Sequence, residues 1–253
     1  MEILREKSLD RIPLSPAKRA LLEMRLQGKA QQQAGYQSIA RRSEETATPP
    51  SFAQQRLWFL QQMAPDSTAY NMPAAYRLQG VLDLGALEQA FQQVLARHDV
   101  LRTTFVVTAE GPVLNLLPVN MQCWTSSDLQ AWKKDEQQTQ VKQLIGREAG
   151  TPFDLATKPP IRVHLLKLAK HEHVLLVTLH HIACDGWSIG LFVGEVAACY
   201  EARVSGNLPG LPVLPIQYAD YAYWQRQQLQ GKTLERTLEY WRKQLNDVPV
   251  LEF

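Results

Sequence analysis

At 253 residues, 45% hydrophobic and 21% charged, the chain has the composition of a soluble globular protein able to bury a core as one large or two small domains. Lys and Arg number 27 against 25 Asp and Glu, a formal charge of +2, and the basic residues are scattered, which argues against a nucleic acid partner. Cys123, Cys184 and Cys199 form no CxxC pair, the charged start MEILREKSLD lacks the apolar core of a secretory signal, and no apolar run is long enough to cross a bilayer; a cytoplasmic protein without a membrane partner is expected.

In chain order, LSPAKRALLEMRLQG (14–28) reads as a short helix, with Ser15 as N-cap, Pro16 at the first helical position and Leu21, Leu22, Met24 and Leu26 as its apolar face. A Gln-, Ser- and Thr-rich linker follows and ends near Pro49-Pro50. Ser51 is placed to cap a helix through SFAQQRLWFLQQM, and Asp83 to cap one through LGALEQAFQQVLARH. Val100 to Val107 and Pro112 to Leu117, joined at Glu110-Gly111, read as a β-hairpin. A helix is expected over Gln138 to Glu148, then strands over Ile161 to Leu168 and His173 to Leu179. The second strand is apolar on both faces and should lie centrally in a sheet. Helices follow over Ser188 to Arg203, Tyr218 to Leu229 and Leu234 to Leu245.

The chemistry gathers where the apolar strand ends, in TLHHIACDGWS (178–188). Histidine is the side chain that takes and returns a proton most readily near neutrality. Neighbours in a strand point to opposite faces, so one of His180 and His181 should face a cavity while the other packs into the sheet. Asp185 belongs to the turn, where Gly186 permits unusual backbone angles, and it is a natural partner for a buried arginine. A metal site of His180, His181, Cys184 and Asp185 is the weaker reading, because adjacent strand side chains diverge. A Cys184 nucleophile is also weak. His98, His164, His171 and His173 read as satisfied polar residues rather than catalysts, and Arg56, Trp58 and Trp224 as support for the core or an interface.

HHIACDGWS resembles the HHxxxDG motif of condensation domains in nonribosomal peptide synthetases, members of the chloramphenicol-acetyltransferase-like superfamily. SFAQQRLWFL (51–60), RHDVLRTTF (97–105) and YADYAYWQ (218–225) are similar to three further motifs of that family, in its order, and PFDLATKPPIRVHLL (152–166) to the segment that leads into the catalytic strand. The resemblance implies an α/β fold: a mixed β-sheet covered by helices, forming the amino-terminal lobe over residues 46–253, with an N-terminal helical extension over 1–45. It implies peptide-bond formation between a carrier-bound acyl or peptidyl thioester and a carrier-bound aminoacyl amine.

In that reading His181 is the active-site histidine, either removing a proton from the amine or orienting it and stabilising the tetrahedral intermediate. His180, Asp185, Gly186, Trp187 and Ser188 support it, and Arg102, then Arg162, are the candidates to pair with Asp185. The DGWS ending is similar to the subtype joining two L-configured residues. The resemblance implies no cofactor or metal bound by the domain, and a phosphopantetheine arm delivered by partner carrier proteins. It also implies a second lobe and a downstream adenylation domain as partners. Residues 1–45 read equally as a plain extension or as a docking segment for an upstream synthetase subunit. The family's domains are nearly twice this length, so this lobe alone is expected to be inactive. A coenzyme A-dependent acyltransferase and a non-catalytic docking or scaffold module are the alternative functions.

Overall fold

The computed structural model describes residues 39–43, 47–119 and 123–249. The chain divides into two compact units, Met1–Ile39 and Ala40–Phe253, and every element below belongs to the second. The helix expected over 14–28 lies outside the described residues.

Helix α1 (Phe52–Met63) starts at Ser51, whose hydroxyl accepts the Gln54 N–H while the Gln54 side chain accepts the Ser51 N–H, a reciprocal cap. Strand β1 (Asn71–Gln79) leads to helix α2 (Leu84–Arg97), capped by Asp83. A short 3-10 helix (Asp99–Arg102) precedes the hairpin of β2 (Thr103–Thr108) and β3 (Gly111–Leu116). Strand β4 (Trp124–Asp128), helix α3 (Lys134–Gly150) and strands β5 (Ile161–Ala169) and β6 (Glu172–His180) follow. Helices α4 (Gly186–Val204), α5 (Tyr218–Gln228) and α6 (Gly231–Gln244) complete the order.

Four strands form one mixed sheet in the order β1-β6-β5-β4, antiparallel except for the parallel pair β4 and β5. Strand β6 is central and nearly all buried, as its apolar run predicts. Its alternate residues feed two separate cores. Leu175, Val177 and Leu179, with Ile161, Val163 and Leu165 of β5, pack against Phe91 and Val94 of α2 and Phe192 and Val196 of α4. Val174 and Leu176, with Leu166, pack on the other face against Val141, Leu144 and Ile145 of α3. A third cluster, Leu57, Phe105, Phe153, Leu155 and Ile182, ties α1 and the hairpin to the end of β6.

The structure departs from the sequence reading at identifiable places. The strand expected from Val100 begins at Thr103 instead. Asp99 and Arg102 form an i,i+3 ion pair at 2.6 Å, and the Thr103 hydroxyl donates to the Asp99 carbonyl, so the preceding turn closes locally. Strands β1 and β4 have no counterpart in the sequence reading. β1 contains Pro73, tolerated because the strand lies at the sheet edge, and β4 is short and polar. Helix α3 is longer than its apolar residues indicate, with Asp135 and Glu136 in its first turn, where their charges suit a helix N-terminus.

Candidate active site

The end of β6 is clamped from both sides: the His180 N–H donates to the Pro160 carbonyl and the His181 N–H to the Tyr70 carbonyl, each at 2.9 Å. Extended pairing thus carries on to His181, and the two imidazoles fall on opposite faces. His180 is 1% exposed and lies edge-on to the Phe153 ring, with centroids 5.6 Å apart. Its Nδ1 accepts the Ile182 N–H at 3.0 Å, which puts the proton of the neutral ring on Nε2. Burial, with lesser contributions from His181 and Arg162, pushes the His180 pKa down to about 4, so it stays neutral at neutral pH.

His181 is exposed and lines an open cleft of about 420 Å³. One side of the cleft comes from α1 through Arg56 and Leu57, another from Leu101 in the 3-10 turn, and a third from α4 through Leu191 and Phe192. The wall is largely apolar with a few polar side chains, the composition of a small-molecule site.

Asp185 is the N-cap of α4. Its Oδ1 accepts the Ser188 N–H at 2.8 Å and the Ser188 hydroxyl at 2.6 Å. These bonds, the hydroxyl first, hold its carboxyl below the usual aspartate range. The expected arginine partnership is corrected here. Arg102 is taken up by Asp99 and the Leu117 carbonyl, and Arg162 by Glu148 and the carbonyls of Glu148 and Thr151. Both arginines satisfy groups in their own neighbourhood, and the exposed Asp185 is held by its own helix. Gly186 is also corrected: it is the first residue of α4 and is not among the positive-φ glycines, and a Cβ there would meet open space. Trp187 is 83% exposed.

Cys184 lines the cleft, but burial, reinforced by Asp185, pushes its thiol up to about 11, which leaves little thiolate at neutral pH. His180 and His181 diverge, so they cannot share a metal ion. Among the described residues no group of His, Cys, Asp and Glu is arranged to hold one. Arg56, expected to support the core or an interface, and His98, expected to be a satisfied polar residue, both line the cleft. His98 stands in the run RHDVLRTTF, but its partner Glu195 lies on α4, far along the chain, and no local pattern gives that contact. Trp58 does pack against the third cluster.

The family model for the Condensation domain matches residues 24–253. The chain belongs to the condensation domain family. It is 41% identical over 204 residues to chondramide synthase cmdD of Chondromyces crocatus, a match that covers 81% of this chain and 5% of that protein. It is 37% identical over 236 residues to phosphinothricin tripeptide synthetase PhsC of Streptomyces viridochromogenes, covering 93% of this chain and 22% of that protein. Among solved structures, the X-domain from teicoplanin biosynthesis matches with a TM-score of 0.74 at 30% identity over 86% of this chain and 48% of that one. The starter condensation domain of rhizomide synthetase RzmA shares the fold, with a TM-score of 0.73 at 24% identity over 81% and 49% of the two chains. The condensation-family chain thus spans about half of each of these structures and a small part of the curated relatives. No described helix is long and apolar enough to cross a membrane.

Proposed function

We propose that this chain supplies the histidine-bearing wall of a nonribosomal peptide synthetase condensation site. There, an acyl or peptidyl thioester on one carrier protein would meet the amine of an aminoacyl group on another, each brought on a phosphopantetheine arm. The observation that carries this reading is His181, exposed in an open cleft at the end of a buried strand, in a chain of this family. The amine nitrogen attacks the thioester carbonyl carbon, the C–N bond forms, the C–S bond breaks, and a nitrogen proton goes to the departing thiolate. His181 hydrogen-bonds the attacking amine and carries that proton.

The half of the domain that this chain does not span would form the facing wall. Positioning both substrates supplies much of the rate in such a reaction, so residues 1–253 alone should form no dipeptide at a useful rate. Residues 1–45 are offered as a docking segment for an upstream synthetase partner, in a cytoplasmic assembly that continues into an adenylation domain. The test is an intact condensation domain containing this chain, given donor and acceptor carriers loaded with L-configured residues. Dipeptide formation that falls by a factor of about 100 or more in His181→Ala supports the reading. Turnover with coenzyme A thioesters in place of loaded carriers would transfer the reading to a soluble acyltransferase, and normal condensation by His181→Ala would reduce the chain to a scaffold.

A further inference from the structure

A second imidazole lines the same cleft. His98, at the C-terminal cap of α2, places its Nε2 2.6 Å from Glu195 Oε2 of α4. Arg97 Nε reaches both oxygens of the same carboxylate, at 3.2 and 3.1 Å. A carboxylate so held is the acceptor in both contacts, which puts the proton of neutral His98 on Nε2 and leaves Nδ1 with a lone pair. No group among the described residues hydrogen-bonds Nδ1.

The mount is rigid. The His98 N–H donates to the Val94 carbonyl at 3.0 Å. Gln217, just before α5, brackets the residue: its Nε2 donates to the Arg97 carbonyl at 2.9 Å and its Oε1 accepts the Asp99 N–H at 3.1 Å. A histidine that only filled space would need neither an oriented carboxylate nor clamps on both flanking peptides. An imidazole fixed through one nitrogen by a carboxylate, with the other nitrogen unengaged beside a cleft, is the arrangement of a working proton acceptor.

We propose that His98, oriented by Glu195, takes the proton that the acceptor's α-ammonium group must lose before its nitrogen can attack. This inference rests on the condensation reading above. An α-amino group titrates at about 7.7–8.0, so much of the acceptor arrives as R–NH3+, which has no lone pair. His98 Nδ1 takes one proton and leaves R–NH2 and an imidazolium, which returns the proton to solvent after turnover. The amine then attacks near His181 as described. One histidine makes the nucleophile and the other serves the bond exchange. The other titratable and charged groups around His98 are Arg97 and Glu195, Arg56 of α1, the Asp99–Arg102 pair, Tyr218 of α5, and His181, Cys184 and Asp185 of the loop.

The experiment compares single-turnover condensation in an intact domain carrying this chain, wild type against His98→Gln, from about pH 6.5 to 9, spanning the ammonium titration. It uses two loaded acceptors, the ordinary aminoacyl group and an aminooxy analogue that is uncharged throughout this range. The expected result is a loss of about 20-fold with the amine at the low-pH end, shrinking as the pH rises, and little loss with the aminooxy acceptor. Loss that is equal for both acceptors, flat across pH, or missing altogether overturns the proposal. Should His98→Gln fail to fold, Glu195→Gln gives the reading: a smaller loss in the same direction supports the proposal, and wild-type rates at every pH overturn it. A wild-type domain that forms no product with either acceptor sinks the condensation reading itself, and this inference with it.

Discussion

The imidazole of His180 accepts the backbone N–H of Ile182 across one intervening residue, and that residue is His181. The buried ring therefore bends the chain as it leaves β6 and holds its neighbour out into the cleft. His180→Ala leaves the Ile182 N–H without its acceptor and opens a hole beside Phe153 and Tyr70. The combined cost should be about 3 kcal/mol, read as a lower midpoint in urea denaturation. His181→Ala, at an exposed position whose backbone bond to Tyr70 is kept, should change stability by less than about 0.5 kcal/mol.

Acid should reveal His180 separately. Its pKa is depressed in the fold from the usual 6.5 to about 4. Between those values the unfolded chain takes up a proton that the native ring refuses, so stability falls as pH drops through 6.5 and the loss is complete below about 4. At about pH 5 this one group should cost about 2 kcal/mol relative to pH 7.5. His180→Gln should lack this component, and denaturation curves of both proteins at the two pH values measure it. Equal acid sensitivity would mean that the ring is charged in the native state.

Asp185 acts on stability through a helix end. Asp185→Asn keeps an oxygen for the Ser188 N–H and should fold nearly as well as wild type, while Asp185→Ala should lose about 1 kcal/mol. A double-mutant cycle of Asp185→Ala with Arg162→Ala should give additive losses to within about 0.5 kcal/mol, since the two side chains share no partner. A coupling energy clearly above that would restore the arginine–aspartate pairing.

Gly186 tests whether the loop needs glycine for its backbone. Its φ is ordinary and the space beside it is open, so Gly186→Ala should melt within a few degrees of wild type. Any loss of condensation in that variant is then a matter of access to the cleft and should appear in KM for the acceptor more than in folding.

The sequence made the centre of the molecule legible and its margins less so. β5 and β6 announce themselves as apolar runs of leucine, valine and isoleucine because both of their faces are buried. β1 and β4 sit at the sheet edges, where Pro73 and the polar run WTSSD are tolerated, so composition carries little signal. The opposite fates of His180 and His181 follow from strand alternation, and that much needs no coordinates. The partners of charged residues are another matter. Arg162 meets Glu148 and His98 meets Glu195 only because β5 lies beside the end of α3 and α2 beside α4. The first contact corrected the expected partner of Asp185, and the second supplies the partner expected of a satisfied polar His98 while leaving its ring at the cleft.

Two cores share β6, one reading its odd-numbered positions and the other its even-numbered ones. Such a strand tolerates changes of length only in pairs. Insert a single residue between Val174 and Leu179 and every later side chain swaps sides, sending the imidazole that should meet solvent into the aromatic cage and the caged one outward. The parity of a nine-residue strand therefore decides which of two identical neighbours is available for chemistry.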